Sequence, residues 1–68
     1  MNIYEATLKA TNTPLLIRKR DRSQSYWFYV TASGIYRNRN GIEISLHAKD
    51  CIGNDWFLVD KKGVEVAS

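Results

Sequence analysis

The sequence predicts an α+β fold: a short N-terminal helix packed on a small curved antiparallel sheet of about six short strands. Three observations carry this. Asn2 and Glu5 head a segment in which Ile3, Ala6 and Ala10 recur at helical spacing. After Pro14 the apolar stretches are short and rich in β-branched and aromatic residues, which suits strands. Between them stand turn signals, Ser33-Gly34, Asn40-Gly41 and Lys61-Lys62-Gly63.

The helix is expected over residues 3–11, opened by a capping box in which Asn2 stands in for the usual Ser or Thr. Tyr4 and Leu8 lie beside its apolar face. It ends where Thr11, Asn12 and Thr13 favour side-chain bonds to the backbone and Pro14 drives Thr13 out of the helical region. Residues 15–19 then alternate, with Leu15 and Ile17 opposite Leu16 and Arg18, and form the first strand; residues 21–25 are a loop. Residues 26–31 are the central strand. Tyr26, Phe28 and Val30 make the better core face, which leaves Trp27 and Tyr29 for a second surface.

Residues 35–38 and 42–46 form a hairpin whose register decides where Arg37 and Arg39 point. A two-residue Asn40-Gly41 loop would set Arg37 across from Ile44. A three-residue loop over 39–41, with Gly41 left-handed, pairs Arg37 with Glu43 and Tyr36 with Ile44, and is preferred because it keeps the arginines off apolar residues. Within 47–55, Asp50 is expected to cap a short helical turn that Gly53 and Asn54 end through positive φ. Trp56 to Val59 is too short and too apolar for anything but a core strand; 56–60, a turn at 61–63 and a last strand over 64–66 complete the chain.

With 68 residues the chain makes one domain, 1–68, small enough that burial barely offsets chain entropy. One cysteine excludes an internal disulfide, and no Cys/His cluster offers the ligands of a structural zinc, so a homo-oligomer is the expected supplement. A reducing cytoplasm fits, and no stretch has the length of a membrane span or the pattern of a leader. The net charge of +3 is uneven. Arg18, Lys19, Arg20, Arg22, Arg37 and Arg39 against Asp21 give residues 18–39 a balance of +5, and the rest carries −2. Such a surface suits an anionic partner, although a charge run is also what a solvated face looks like.

Catalysis has little to stand on. His47 and Cys51 are four apart, but Cys51 reads as a small buried residue. Asp50, Asp55 and Asp60 lack calcium-loop spacing, no glycine loop cradles a phosphate, and neither a cofactor nor a metal is expected. What remains is aromatic and cationic: Trp27, Tyr29, Tyr36 and Trp56 with Arg18, Arg37 and Arg39. Flat rings can stack a nucleotide base while guanidinium forks meet its phosphates. Each of these aromatics is also a candidate core residue, Trp56 above all.

The opening Ile3-Tyr4-Glu5-Ala6 with Leu8, the strand ending Ile17-Arg18-Lys19, and Asp50-Cys51-Ile52-Gly53-Asn54-Asp55-Trp56 leading into a hydrophobic strand together resemble a phage and prophage family, the second Thoeris anti-defence family. Its members begin with a Glu-Ala-containing helix and close on an Asp-x-x-Ala-x-Asp-Trp motif. Gly53 takes the place of the usual Ala, and the Gly-Trp-Asn-Gly element that follows the first strand's arginines is absent, the nearest indole being Trp27. The resemblance implies a non-enzymatic sponge in the bacterial host cytoplasm, a tetramer rather than a dimer. Such a sponge binds cyclic ADP-ribose-type signals, and in some relatives cyclic oligonucleotides, without degrading them. On that reading Trp27, Trp56 or Tyr36 stacks the base, Arg18, Arg37 and Arg39 meet phosphates, and Asn54 and Asp55 bond ribose hydroxyls. Two alternatives use the same cationic face: a small nucleic-acid-binding module, and a protein-binding inhibitor of a bacterial defence nuclease.

Overall fold

A computed structural model describes residues 1–20 and 27–66. It shows a helix, α1 (Ile3–Ala10), and four strands, β1 (Leu16–Lys19), β2 (Trp27–Val30), β3 (Tyr36–Asn38) and β4 (Trp56–Val59), with a 3₁₀ turn at Ala48–Cys51. The sheet is antiparallel throughout, in the order β3-β2-β1-β4. The class is the expected α+β, with four strands rather than six. The loop expected over 21–25, and Tyr26 with its expected core position, lie outside the described residues.

The helix starts as its capping box dictates. Asn2 Oδ1 accepts the Glu5 N–H at 2.7 Å and the Glu5 carboxylate accepts the Asn2 N–H at 3.1 Å, so donors that the first turn cannot use internally are satisfied. At the other end the Thr11 N–H and hydroxyl both donate to the Thr7 carbonyl, and Asn12 turns the chain at φ 58°. Ala6 and Ala10 are fully buried against the sheet, and their small side chains let the helix lie close to it. Tyr4 and Leu8, expected beside that face, remain 69% and 62% exposed.

Ile17 of β1, Phe28 and Val30 of β2, and Trp56 and Leu58 of β4 face the helix and form the core with Ala6 and Ala10. Strand register brings Ile17 opposite both Phe28 and Leu58, so the largest side chains share one layer. Phe28 meets Tyr36 and Trp56 edge-on, with ring centroids 5.2 and 5.7 Å apart.

The two missing strands survive as single bridges, Arg37 with Glu43 and Val59 with Glu65. Each return holds only briefly, because Ile44, Leu46 and Val66 turn inward to pack on the rim of the core. Even so, both sheet edges are closed. The Asn38 N–H donates to Ile42 O and the Ile44 N–H to Tyr36 O beside β3; beside β4, Trp56 N–H donates to Met1 O, Val66 N–H to Leu58 O and Asp60 N–H to Val64 O. The preferred three-residue loop over 39–41 is the one formed, with Gly41 at φ 83°.

The 47–55 segment differs from expectation. The 3₁₀ turn begins at Ala48, with no side-chain cap on its N-terminus, and Asp50 sits inside it, buried. Asp50 therefore does not stand at the N-cap, which is His47, and its carboxylate pairs with the Lys19 ammonium at the end of β1. Neither Gly53 nor Asn54 is left-handed. At Gly53 a Cβ would come 2.6 Å from Asp55 Oδ1, so close approach is what favours glycine there. Cys51 is exposed, at the solvent end of the turn.

Candidate functional site

Both edges of the sheet are paired and one face is covered by α1, so the outer face is where a ligand can meet the sheet. Alternation sends Leu16 and Arg18 of β1, Trp27 and Tyr29 of β2, Arg37 of β3, and Phe57 and Val59 of β4 to that side. The register places them in two rows. Trp27, Arg18 and Phe57 lie abreast across three strands; Arg37 lies beside Tyr29, and Val59 beside Leu16.

The first row is a chain of cations and rings. The guanidinium of Arg39, just past β3, lies 4.7 Å from the centre of Trp27, and that of Arg18 lies 4.3 Å from it. Arg18 is also 5.8 Å from Phe57, over which Arg20 stacks at 4.1 Å. Each guanidinium lies within cation–π distance of a ring face. Arg20 pairs with Glu65, which ties the C-terminal return to this face. The return closes further where Gly63, at φ 88°, approaches Trp27; a Cβ there would be 3.0 Å from Cη2. The Trp27 indole N–H is buried under this cover and finds no acceptor among the described residues.

Beside this row opens a cleft of about 420 Å³, lined by Thr13, Pro14, Leu16, Tyr29, Arg39 and Lys61. Its size is that of a small-molecule site. Tyr29 and Leu16 come from adjacent strands, Thr13 and Pro14 from the bend before β1, and Lys61 from the turn after β4. Arg37 stands next to Tyr29, its Nη1 donating to Gly41 O at 2.9 Å, while Glu43 pairs with Arg37 through backbone register alone. Neither Arg37 nor Arg39 has a carboxylate within ion-pair distance among the described residues.

The eight residues expected to bind ligand are thus divided. Arg18, Trp27, Arg37 and Arg39 come together on the outer face. Tyr36 is on the helix side, where its hydroxyl lies 2.7 Å from Thr7 Oγ1. Trp56 is in the core, 1% exposed, and its indole N–H donates to Asp50 O at 3.0 Å. Asn54 is exposed at the rim, and Asp55, next to it, accepts the Arg20 N–H through its carbonyl. Asp55 Oδ1 is buried without a partner among the described residues. Alternation already assigned Tyr29 to the outer surface. Lys61, Pro14 and Thr13 had only turn and helix-stop signals, and nothing local shows that those two bends meet.

The chain's one histidine and one cysteine both lie on the 47–51 turn, which Asp50 ties to Lys19 on the helix side of the sheet. No group of three or more metal-ligating side chains occurs among the described residues, and no helix there is long and apolar enough to cross a membrane. Compared with known proteins, the chain matches no family model, no curated protein and no solved structure.

Proposed function

We propose that this protein binds a small phosphate-bearing nucleotide of the cyclic ADP-ribose kind on the outer face of its sheet and sequesters it without cleaving it. The observation that carries the reading is the cleft, whose lining combines an aromatic ring and apolar side chains with two cations, Arg39 and Lys61. A base needs the flat, dry surface that Tyr29, Leu16 and Pro14 offer, and phosphate oxygens need the donors of Arg39 and Lys61, with Arg37 alongside. The likeness of the Glu5-Ala6 and Asp50 to Trp56 segments to the second Thoeris anti-defence family supplies the ligand class. On this reading the protein acts in a phage-infected bacterial cell.

Sequestration in place of turnover is supported by the lining itself, which holds binding groups, while His47 and Cys51 lie on a turn tied to the other side of the sheet. The working form is a homo-oligomer, because a 68-residue core is small, and the same family likeness favours a tetramer before a dimer. Partner subunits would then complete the cleft.

The test is incubation with a cyclic ADP-ribose isomer, removal of free ligand, release by heat and chromatography of what is released. The expected result is the intact isomer, retained in proportion to protein and lost in Arg39→Ala. Recovery of a hydrolysed product, or no retention, overturns the proposal. Light scattering of the same sample should give a multiple of the 7.8 kDa chain mass.

A further inference from the structure

The cleft does not end at Lys61. A second cleft, of about 340 Å³, is lined by Pro14, Leu15, Asp60, Lys61 and Lys62, and shares Pro14 and Lys61 with the first. The two form one path over the end of the sheet where β1 begins and β4 ends. Each cleft holds cations and apolar side chains: Arg39 with Tyr29 and Leu16 in the first, Lys62 with Leu15 in the second, and Lys61 in both. None of the three cations has a carboxylate within ion-pair distance among the described residues. Asp60, the one acid on the path, turns its Oδ1 inward to accept the N–H groups of Lys62 and Val64.

We infer that this path binds single-stranded nucleic acid, a ligand longer than the cyclic nucleotide proposed above and independent of it. Two joined clefts with three cations, and with Tyr29 in the first and Leu15 in the second, offer phosphate and base contacts over more length than a mononucleotide can fill. The strand must be single, because Tyr29 can stack only on a base whose face is open. A peptide adding as a further strand has no place to pair, since both sheet edges are closed by returns of the chain.

The experiment is fluorescence anisotropy with labelled thymidine oligonucleotides of increasing length, and with a duplex, across a salt series. Affinity should rise at least about tenfold from the mononucleotide to the short oligomers and then level off. With three phosphates engaged, log K should fall against log salt with a slope of about −2. Lys62→Ala, which touches only the second cleft, should weaken the oligomer several-fold, reduce the slope by roughly 0.7 and leave binding of the cyclic nucleotide unchanged. A duplex that binds as tightly as the single strand, an affinity that does not grow with length, equal competition by poly-glutamate, or an unaffected Lys62→Ala variant would each overturn the inference. Failure of the cyclic nucleotide to bind, with the length dependence intact, would remove the earlier proposal and leave this one standing.

Discussion

Lys19 Nζ lies 2.9 Å from Asp50 Oδ1, and the two side chains are only 13% and 4% exposed. This pair joins the last residue of β1 to the 3₁₀ turn thirty-one residues later. Asp50 also contributes its carbonyl, which accepts the Trp56 indole N–H, so one residue organises the turn and fixes the largest core side chain. A buried pair of this kind contributes little over an apolar equivalent, but it costs heavily to break, because the remaining charge stays buried.

Asp50→Ala is therefore expected to destabilise the fold by about 3 kcal/mol or more, a large share of what so small a domain has to lose. Urea denaturation followed by tryptophan fluorescence measures it. A loss under about 1 kcal/mol would mean that solvent screens the pair as it does on an open surface.

Arg39 carries the weight of the proposed site, lies in the cleft, and stacks on Trp27 without a carboxylate among the described residues. Arg39→Ala should cost at least about tenfold in affinity for a phosphate-bearing ligand, the worth of one charge-assisted contact. Stability should fall by no more than about 1 kcal/mol, since the stacking is at an exposed position. Calorimetric titration beside a thermal melt separates the two effects, and unchanged affinity would remove Arg39 from the site.

Tyr36 makes the opposite case. Its hydroxyl bonds Thr7 on the helix side, so Tyr36→Phe should lose about 1 kcal/mol of stability and leave ligand affinity where it was. A weaker ligand with an unaltered melt would show that the ring reaches a site that this fold turns it away from.

Gly63 and Gly34 are both left-handed, at φ 88° and 86°, and differ in what surrounds them. Gly34 faces open space, whereas a Cβ at Gly63 would meet Trp27 at 3.0 Å. Alanine at Gly34 should cost about 1 kcal/mol for backbone strain alone. At Gly63 it should cost more and also shift Trp27 fluorescence, because the return must lift off the outer face. Equal losses in the two variants would show that the Trp27 contact yields freely.

Local chemistry in the sequence was enough for the helix start, the strand faces and the hairpin register. Asn2 and Glu5 satisfy each other's backbone three residues apart, β2 alternates Trp27 and Tyr29 against Phe28 and Val30, and Gly41 takes the left-handed residue of its loop. Each of these depends on residues close in the chain, so periodicity and turn chemistry reveal them. Tertiary packing decided the rest. Trp56 reads both as a core residue and as a ligand aromatic, and Tyr36 as a ligand aromatic; both went to the helix side, because burying rings against Phe28 is worth more to a small core than leaving them at a rim. Asp50 met Lys19 across the chain, and Lys61 met Pro14, Tyr29 and Arg39 across a cleft built from four separate segments. Those meetings depend on how β1 is flanked by β2 and β4, a long-range pairing that leaves no mark in the spacing of the residues it brings together.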